Sequence, residues 1–449
     1  MLIRPHRLRD LRRFLTVALL TLFVAGPALS ASGDDEDFGS ALGLADAAAL
    51  QATVFGPRPE TLAELPEKVP TQELNIVIDG AMPVPDIYWF NRKLRVYFSA
   101  QQQAAPLAIV IAGTGGGADT AKLGTLRRAL YEDGYHVLTL PSPTFPGFIV
   151  AASSTGVAGD LWQDGRDLHR AASQIVRQLE ARHDFTEIVA LGYSLGGANA
   201  ATLKALDDEA EEPLGIPRAV LINPPVSLFS SIERLDKLLE LSIGDDEKSF
   251  ERFYHEIYTE LSRHYAATDA WSVDQGFLLE AAARLLDSDR KLAAGVSLSF
   301  RMSLIDMFFA GDLYAGSGAV VDPDDPPRRG DSLESVWREL RGKTFATYFE
   351  EVFAPFYLAH RPSATRESLI AANHLESMGE QLRTDPAYYA QTNADEVILD
   401  GAELDWLRDV FGDRLAVYDH GGHLGSVGTK EQIADMLRMA AGTHGEARP

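Results

Sequence analysis

The hexapeptide Gly192-Tyr193-Ser194-Leu195-Gly196-Gly197 constrains the fold more than any other feature of the chain. It directly follows an apolar run, 187–191, that reads as a strand, and it opens a helix-forming run, 198–205. A chain that passes from strand to helix this abruptly must turn sharply at the serine. Glycines two positions before and after it relieve the crowding and let the hydroxyl project from the sheet. Ser194 is therefore the candidate nucleophile, and the rest of the sequence can be searched for what such a group requires.

Short apolar runs at 74–78, 94–98, 107–112, 136–140, 187–191 and 219–222 alternate with helix-period segments, among them 121–133 and 161–182. Strands separated by helices of that length predict a mostly parallel sheet covered on both faces. After Pro224-Pro225 the rhythm breaks. Helical periodicity dominates the next ~160 residues, with helices expected at 232–243, 250–264, 275–286 and 333–353 and an exposed Pro/Asp/Gly-rich loop at 316–331. Sheet patterning resumes at 387–392 and 415–418, and a last helix is expected at 430–441. The expected class is α/β, a mostly parallel sheet of about eight strands flanked by helices. Its core would span 71–225 and 386–449, with a helical cap inserted at 226–385 and a leader at 31–70 carrying at most one short helix.

A serine hydroxyl is a poor nucleophile unless a base takes its proton. His423 sits in Asp419-His420-Gly421-Gly422-His423-Leu424-Gly425, after the last expected strand, where neighbouring glycines permit a tight loop. His420 is the alternative, closer to the strand. A third residue must hold the imidazole in one tautomer, which calls for a carboxylate after the penultimate strand. Asp395 is the first candidate, with Glu396 and Asp400 close by; a helix N-cap is the other role open to Asp395. For the developing oxyanion, the N–H of Leu195 begins the helix after the nucleophile. Thr114 N–H lies in Gly113-Thr114-Gly115-Gly116-Gly117, at the end of the third strand.

That glycine-rich stretch also satisfies a loose dinucleotide fingerprint. Such a site needs an acidic residue at the end of the next strand, yet 136–140 ends in Pro141-Ser142, so no nucleotide cofactor is expected. Nor do the histidines show metal-ligand spacing, and no metal is expected.

Composition narrows the setting. The formal net charge of -24 repels phosphate backbones, which argues against nucleic-acid binding. Five arginines, Arg4 to Arg13, precede an apolar run at 14–25, and Ala28 and Ser30 suit cleavage after Ser30. Residues 1–30 thus read as an export signal, with an uncleaved anchor as the alternative, and the expected location is periplasmic or secreted. The chain has no cysteine, which excludes disulfides and a thiol nucleophile. Contact with a membrane beyond the signal would be peripheral, and no partner protein is implied.

Taken together, 192–197, 113–117, Asp395 and 421–425 resemble the α/β-hydrolase superfamily over residues 72–225 and 387–442. The chain departs from many lipases and esterases in carrying Ala112 where they have histidine, and in its large cap. The resemblance implies a carboxylic-ester hydrolase working through an acyl-enzyme. Peptidase, thioesterase and acyltransferase chemistry use the same machinery, and a catalytically silent binding protein of the cell envelope is the reading from another class. Phe145 and Phe148, just after the fourth core strand near the expected mouth, are candidates to contact an acyl group. The apolar stretch 300–309 would either join them or pack the cap's own core.

Overall fold

The computed structural model describes residues 47–244, 248–249, 251–257, 259 and 285–443. The expected export signal at 1–30 lies outside these residues, as does nearly all of the helix expected at 275–286. Within 250–264 the described residues 251–257 are helical.

Eight strands form one sheet: β1 (Gln72–Ile76), β2 (Leu94–Ser99), β3 (Ala105–Ile111), β4 (His136–Leu140), β5 (Phe185–Tyr193), β6 (Ala219–Ile222), β7 (Tyr388–Asn393) and β8 (Leu415–Tyr418). Their order is β1-β2-β4-β3-β5-β6-β7-β8. The pairs β1–β2 and β2–β4 are antiparallel, and every other pair is parallel. The central strands are mostly apolar and buried because helices cover both faces. Along β3 the side chains still alternate: Leu107, Ile109 and Ile111 join one core, and Ala108 and Val110 another.

The larger helices are α1 (Ala47–Phe55), α2 (Ala121–Glu132), α3 (Leu161–Glu180), α4 (Leu195–Asp208), α5 (Leu228–Ile243), α6 (Asp289–Ala315), α7 (Gly401–Phe411) and α8 (Lys430–Ala441). One face of the sheet packs against α3 through Leu168, Ile175 and Val176, and the other against α2 and α8 through Leu126 and Met436.

Between β6 and β7 the described residues are helical or loop, as the periodicity predicts. By length and composition α6 could cross a membrane, yet 89% of its most apolar window is buried inside the protein. It is the central beam of the insertion. The single helix expected at 333–353 is instead broken. Glu334–Leu340 ends before Gly342, Thr344 caps a new start in a reciprocal pair with Thr347, and the chain passes through a π turn, Phe349–Phe353, into Ala354–His360. Pro355 has no N–H to offer the preceding turn, which accounts for the widened helix there.

Residues 47–70 are not a detached leader. The helix α1 buries Leu50, Val54 and Phe55 in the core it shares with the insertion, and Leu62 forms a bridge with Thr429.

Candidate active site

β5 ends at Tyr193 and α4 begins at Leu195, leaving Ser194 alone at the turn with φ 54 and ψ -130. Positive φ is costly for a residue with a Cβ and persists only where its surroundings hold it. Here the turn is held by hydrogen bonds from Ser194 N–H to the Ile222 carbonyl at 2.8 Å and from Gly197 N–H to the Ser194 carbonyl at 2.8 Å. A Cβ at Gly192 would collide with the Gly196 carbonyl, and one at Gly196 with the carbonyls of Ile111 and Ala112. The two glycines are thus a steric requirement of the turn.

The loop after β8 brings His423 over the serine. Its Nε2 lies 3.0 Å from Ser194 Oγ, and its side chain is almost wholly buried. On the other ring edge, Nδ1 lies 2.8 Å from Oε1 of Glu396. This geometry corrects the assignment of the third residue. The carboxylate of Asp395 turns away from the imidazole and accepts the N–H groups of Gly421 (3.2 Å) and Gly422 (2.8 Å). Asp395 lies in the turn that follows β7, and there its carboxylate is taken up by the two glycine N–H groups while that of Glu396 faces the ring. Asp400 caps α7, accepting from Glu403 N–H at 2.8 Å, and His420 is exposed.

Glu396 is buried, and four N–H groups converge on it. His423 Nδ1, Val397 N–H (2.9 Å) and Ile398 N–H (3.3 Å) reach Oε1, while Asn223 Nδ2 reaches Oε2 at 2.6 Å. These bonds replace the water lost on burial and fix the carboxylate's direction. Asn223, at φ 47 just after β6, had no signature in the sequence.

Thr114 and Leu195 both reach the serine's surroundings. Leu195 N–H opens α4 and has no acceptor within the helix. Thr114 N–H has no acceptor among the described residues, while the next N–H, of Gly115, is held by Thr144 Oγ1 at 2.8 Å.

Two cavities meet at Ser194 and Thr114. One, of ≈ 110 Å³, lies under the insertion and is apolar, lined by Leu228, Phe229, Met307, Phe349 and Ile398 together with Leu195. The other, of ≈ 240 Å³, is bounded by the 113–117 loop, Phe145, Lys122, Ser299, Ser303 and His423. Phe300 stands between them, 6.1 Å from the His423 ring. Phe145 therefore reaches the site as expected, but Phe148 does not. Its ring is fully buried in the core with Leu168 and Ile175, because the short helix Pro146–Ala151 turns it inward. The stretch 300–309 divides in the same way: Phe300 and Met307 line the cavity, and Leu304, Phe308 and Phe309 pack the insertion's core.

Burial pushes the Lys122 ammonium down to about 7, and its Nζ donates to the Leu424 carbonyl at 3.0 Å. Burial raises the Tyr193 hydroxyl to about 12, against a lowering by its hydrogen bond with Thr120. Among the described residues, no group of three His, Asp or Glu side chains could hold a metal ion.

No family model matches the chain, and no curated protein matches it. Several solved structures are similar at low identity. DcsB in complex with its substrate analogue is 12% identical over 83% of this chain and 100% of that one, with a TM-score of 0.40. An alpha/beta hydrolase from Novosphingobium aromaticivorans is 14% identical over 83% of this chain and 99% of its own, at 0.39. An esterase from Pyrococcus furiosus is 10% identical over 85% and 100%, at 0.37.

Proposed function

Taking as premise that the chain is an α/β-hydrolase, we propose that it is a serine hydrolase that cleaves carboxylic esters of apolar acids through an acyl-enzyme. The premise rests on the mostly parallel sheet, the strand-to-helix turn at Ser194 and the chain order Ser194, Glu396, His423. The observation that carries the proposal is the continuous hydrogen-bonded line from Ser194 Oγ through His423 to Glu396.

In this reading His423 Nε2 takes the Ser194 proton as Oγ bonds to the ester carbonyl carbon. Glu396 accepts from Nδ1–H throughout and stabilises the imidazolium that forms. The N–H groups of Leu195 and Thr114 receive the oxyanion. As the tetrahedral adduct collapses, Nε2–H gives its proton to the departing alkoxide, and the alcohol leaves. Water, deprotonated by the same nitrogen, then attacks the acyl carbon; as that adduct collapses, Nε2–H returns the proton to Ser194 Oγ and the carboxylic acid leaves.

The leaving oxygen must be within reach of His423, which lines the larger cavity and not the smaller one. The acyl group is then directed to the other side, into the apolar cavity that adjoins Leu195. Export belongs to the same proposal and is supported by the arginine-led apolar segment at 1–30.

A fluorophosphonate probe tests the reading directly. The wild type should be labelled at Ser194, while Ser194→Ala should not be. Each of Ser194→Ala and His423→Ala should lower ester hydrolysis by about 10³-fold or more, with little further loss in the double variant. A well-folded wild type that resists labelling and cleaves no ester would point to a binding protein.

A further inference from the structure

The loop that carries His423 is held by its backbone, and the holding groups come from distant parts of the chain. Asp395 takes the N–H groups of Gly421 and Gly422, Asn393 Nδ2 donates to the Gly422 carbonyl at 2.7 Å, and Lys122 donates to the Leu424 carbonyl. The N–H of His423 itself goes to Thr53 Oγ1, at 2.8 Å, from the helix α1. Such restraint is needed because the loop departs from relaxed geometry: Leu424 has φ 67, a left-handed conformation that leucine rarely adopts.

The chemistry at Thr53 is specific. A hydroxyl has one proton, and that of Thr53 is given to the Ala49 carbonyl at 2.7 Å, so its oxygen faces His423 as an acceptor. Thr53 is fully buried, and no solvent can stand in for it. The approach of α1 is also tight: a Cβ at Gly422 would collide with the Ala49 carbonyl, and one at Gly425 with that of Ala52.

We propose that Thr53 is a positioning residue for His423, and that α1 is a working part of the catalytic apparatus. The hydroxyl fixes the His423 peptide plane, and with it the direction in which the imidazole leaves the backbone toward Ser194. Misplacing a reacting group by about 1 Å can cost ~10²-fold in rate. The activity arm of this proposal rests on the hydrolase reading; the geometric arm does not.

The test compares full-length Thr53→Val, which keeps the shape and loses both hydrogen bonds, with Thr53→Ser, which keeps them. Thr53→Val should lower kcat for p-nitrophenyl butyrate by about 10- to 100-fold, leave KM within roughly twofold, and shift or broaden the low-field proton resonance of His423 Nδ1–H. Thr53→Ser should stay within about threefold of the wild type and keep that resonance. Thr53→Cys, whose sulfur is a weak acceptor, should fall between them and serves if the valine variant does not fold. A valine or cysteine variant with wild-type kcat and resonance would overturn the proposal, whatever its melting temperature. So would a serine variant as impaired as the valine one. If the wild type neither labels nor cleaves esters, the hydrolase reading fails, while the resonance still decides the role of Thr53.

Discussion

Glu396 and Asp395 are chemically near-equivalent neighbours, yet only one touches the imidazole. Glu396→Gln should lower kcat by about 10³-fold or more, because the amide can no longer stabilise the imidazolium. Asp395→Asn should act mainly on stability, by about 1 kcal/mol, through weaker acceptance of the two glycine N–H groups. Steady-state kinetics beside thermal melts would check this, and the reverse ranking would return the role to Asp395. Lys122 offers a prediction in pH. Its folded pKa is depressed from 10.5 to about 7 by burial, so between these values the unfolded chain binds more protons than the folded one. Its cost to stability is therefore full below about 7 and fades as the pH rises toward 10.5. The unfolding free energy of the wild type minus that of Lys122→Met should rise across this window in denaturant titrations. A flat difference would show that the lysine is not desolvated.

At the level of elements, the helices of the insertion set what can reach the serine. α5 contributes Leu228 and α6 contributes Phe300 and Met307 to the apolar cavity. Each acyl methylene buried there would contribute up to about 0.8 kcal/mol, or roughly fourfold in kcat/KM. Efficiency toward p-nitrophenyl esters should rise from acetate through butyrate to octanoate, and Leu228→Trp, which fills the cavity, should flatten the rise more than it slows acetate. A steady fall beyond acetate in a folded wild type would exclude an apolar acyl substrate. Phe148 cannot serve in this experiment, since its substitution would open the core beneath the sheet and cost stability first.

For the whole molecule, much of the architecture could be read from local patterning. β4, β6 and β8 fall where the apolar runs at 136–140, 219–222 and 415–418 place them, because strands covered by helices are rich in apolar residues. The turn at Ser194 was legible because its glycines flank a serine between a strand-like and a helix-like run; a Cβ at Gly192 would meet the nearby Gly196 carbonyl, and one at Gly196 the distant carbonyls of Ile111 and Ala112. The position of His423 was legible because its glycine neighbours mark a loop after the last strand, although the collisions that Gly422 and Gly425 avoid include those with the distant α1. Other features depend on pairs of segments far apart in the chain. Which carboxylate meets His423 depends on how the chain twists after β7, and which phenylalanine lines the cleft depends on the turn of one short helix. The role of Thr53 depends on a contact spanning 370 positions, to which no periodicity or motif contributes. Local patterning thus marked the sheet, the nucleophile turn and the histidine loop in the sequence itself. The third residue of the line, the division of the cleft and the recruitment of α1 were decided by tertiary packing, because their energies exist only once distant backbones are brought into contact.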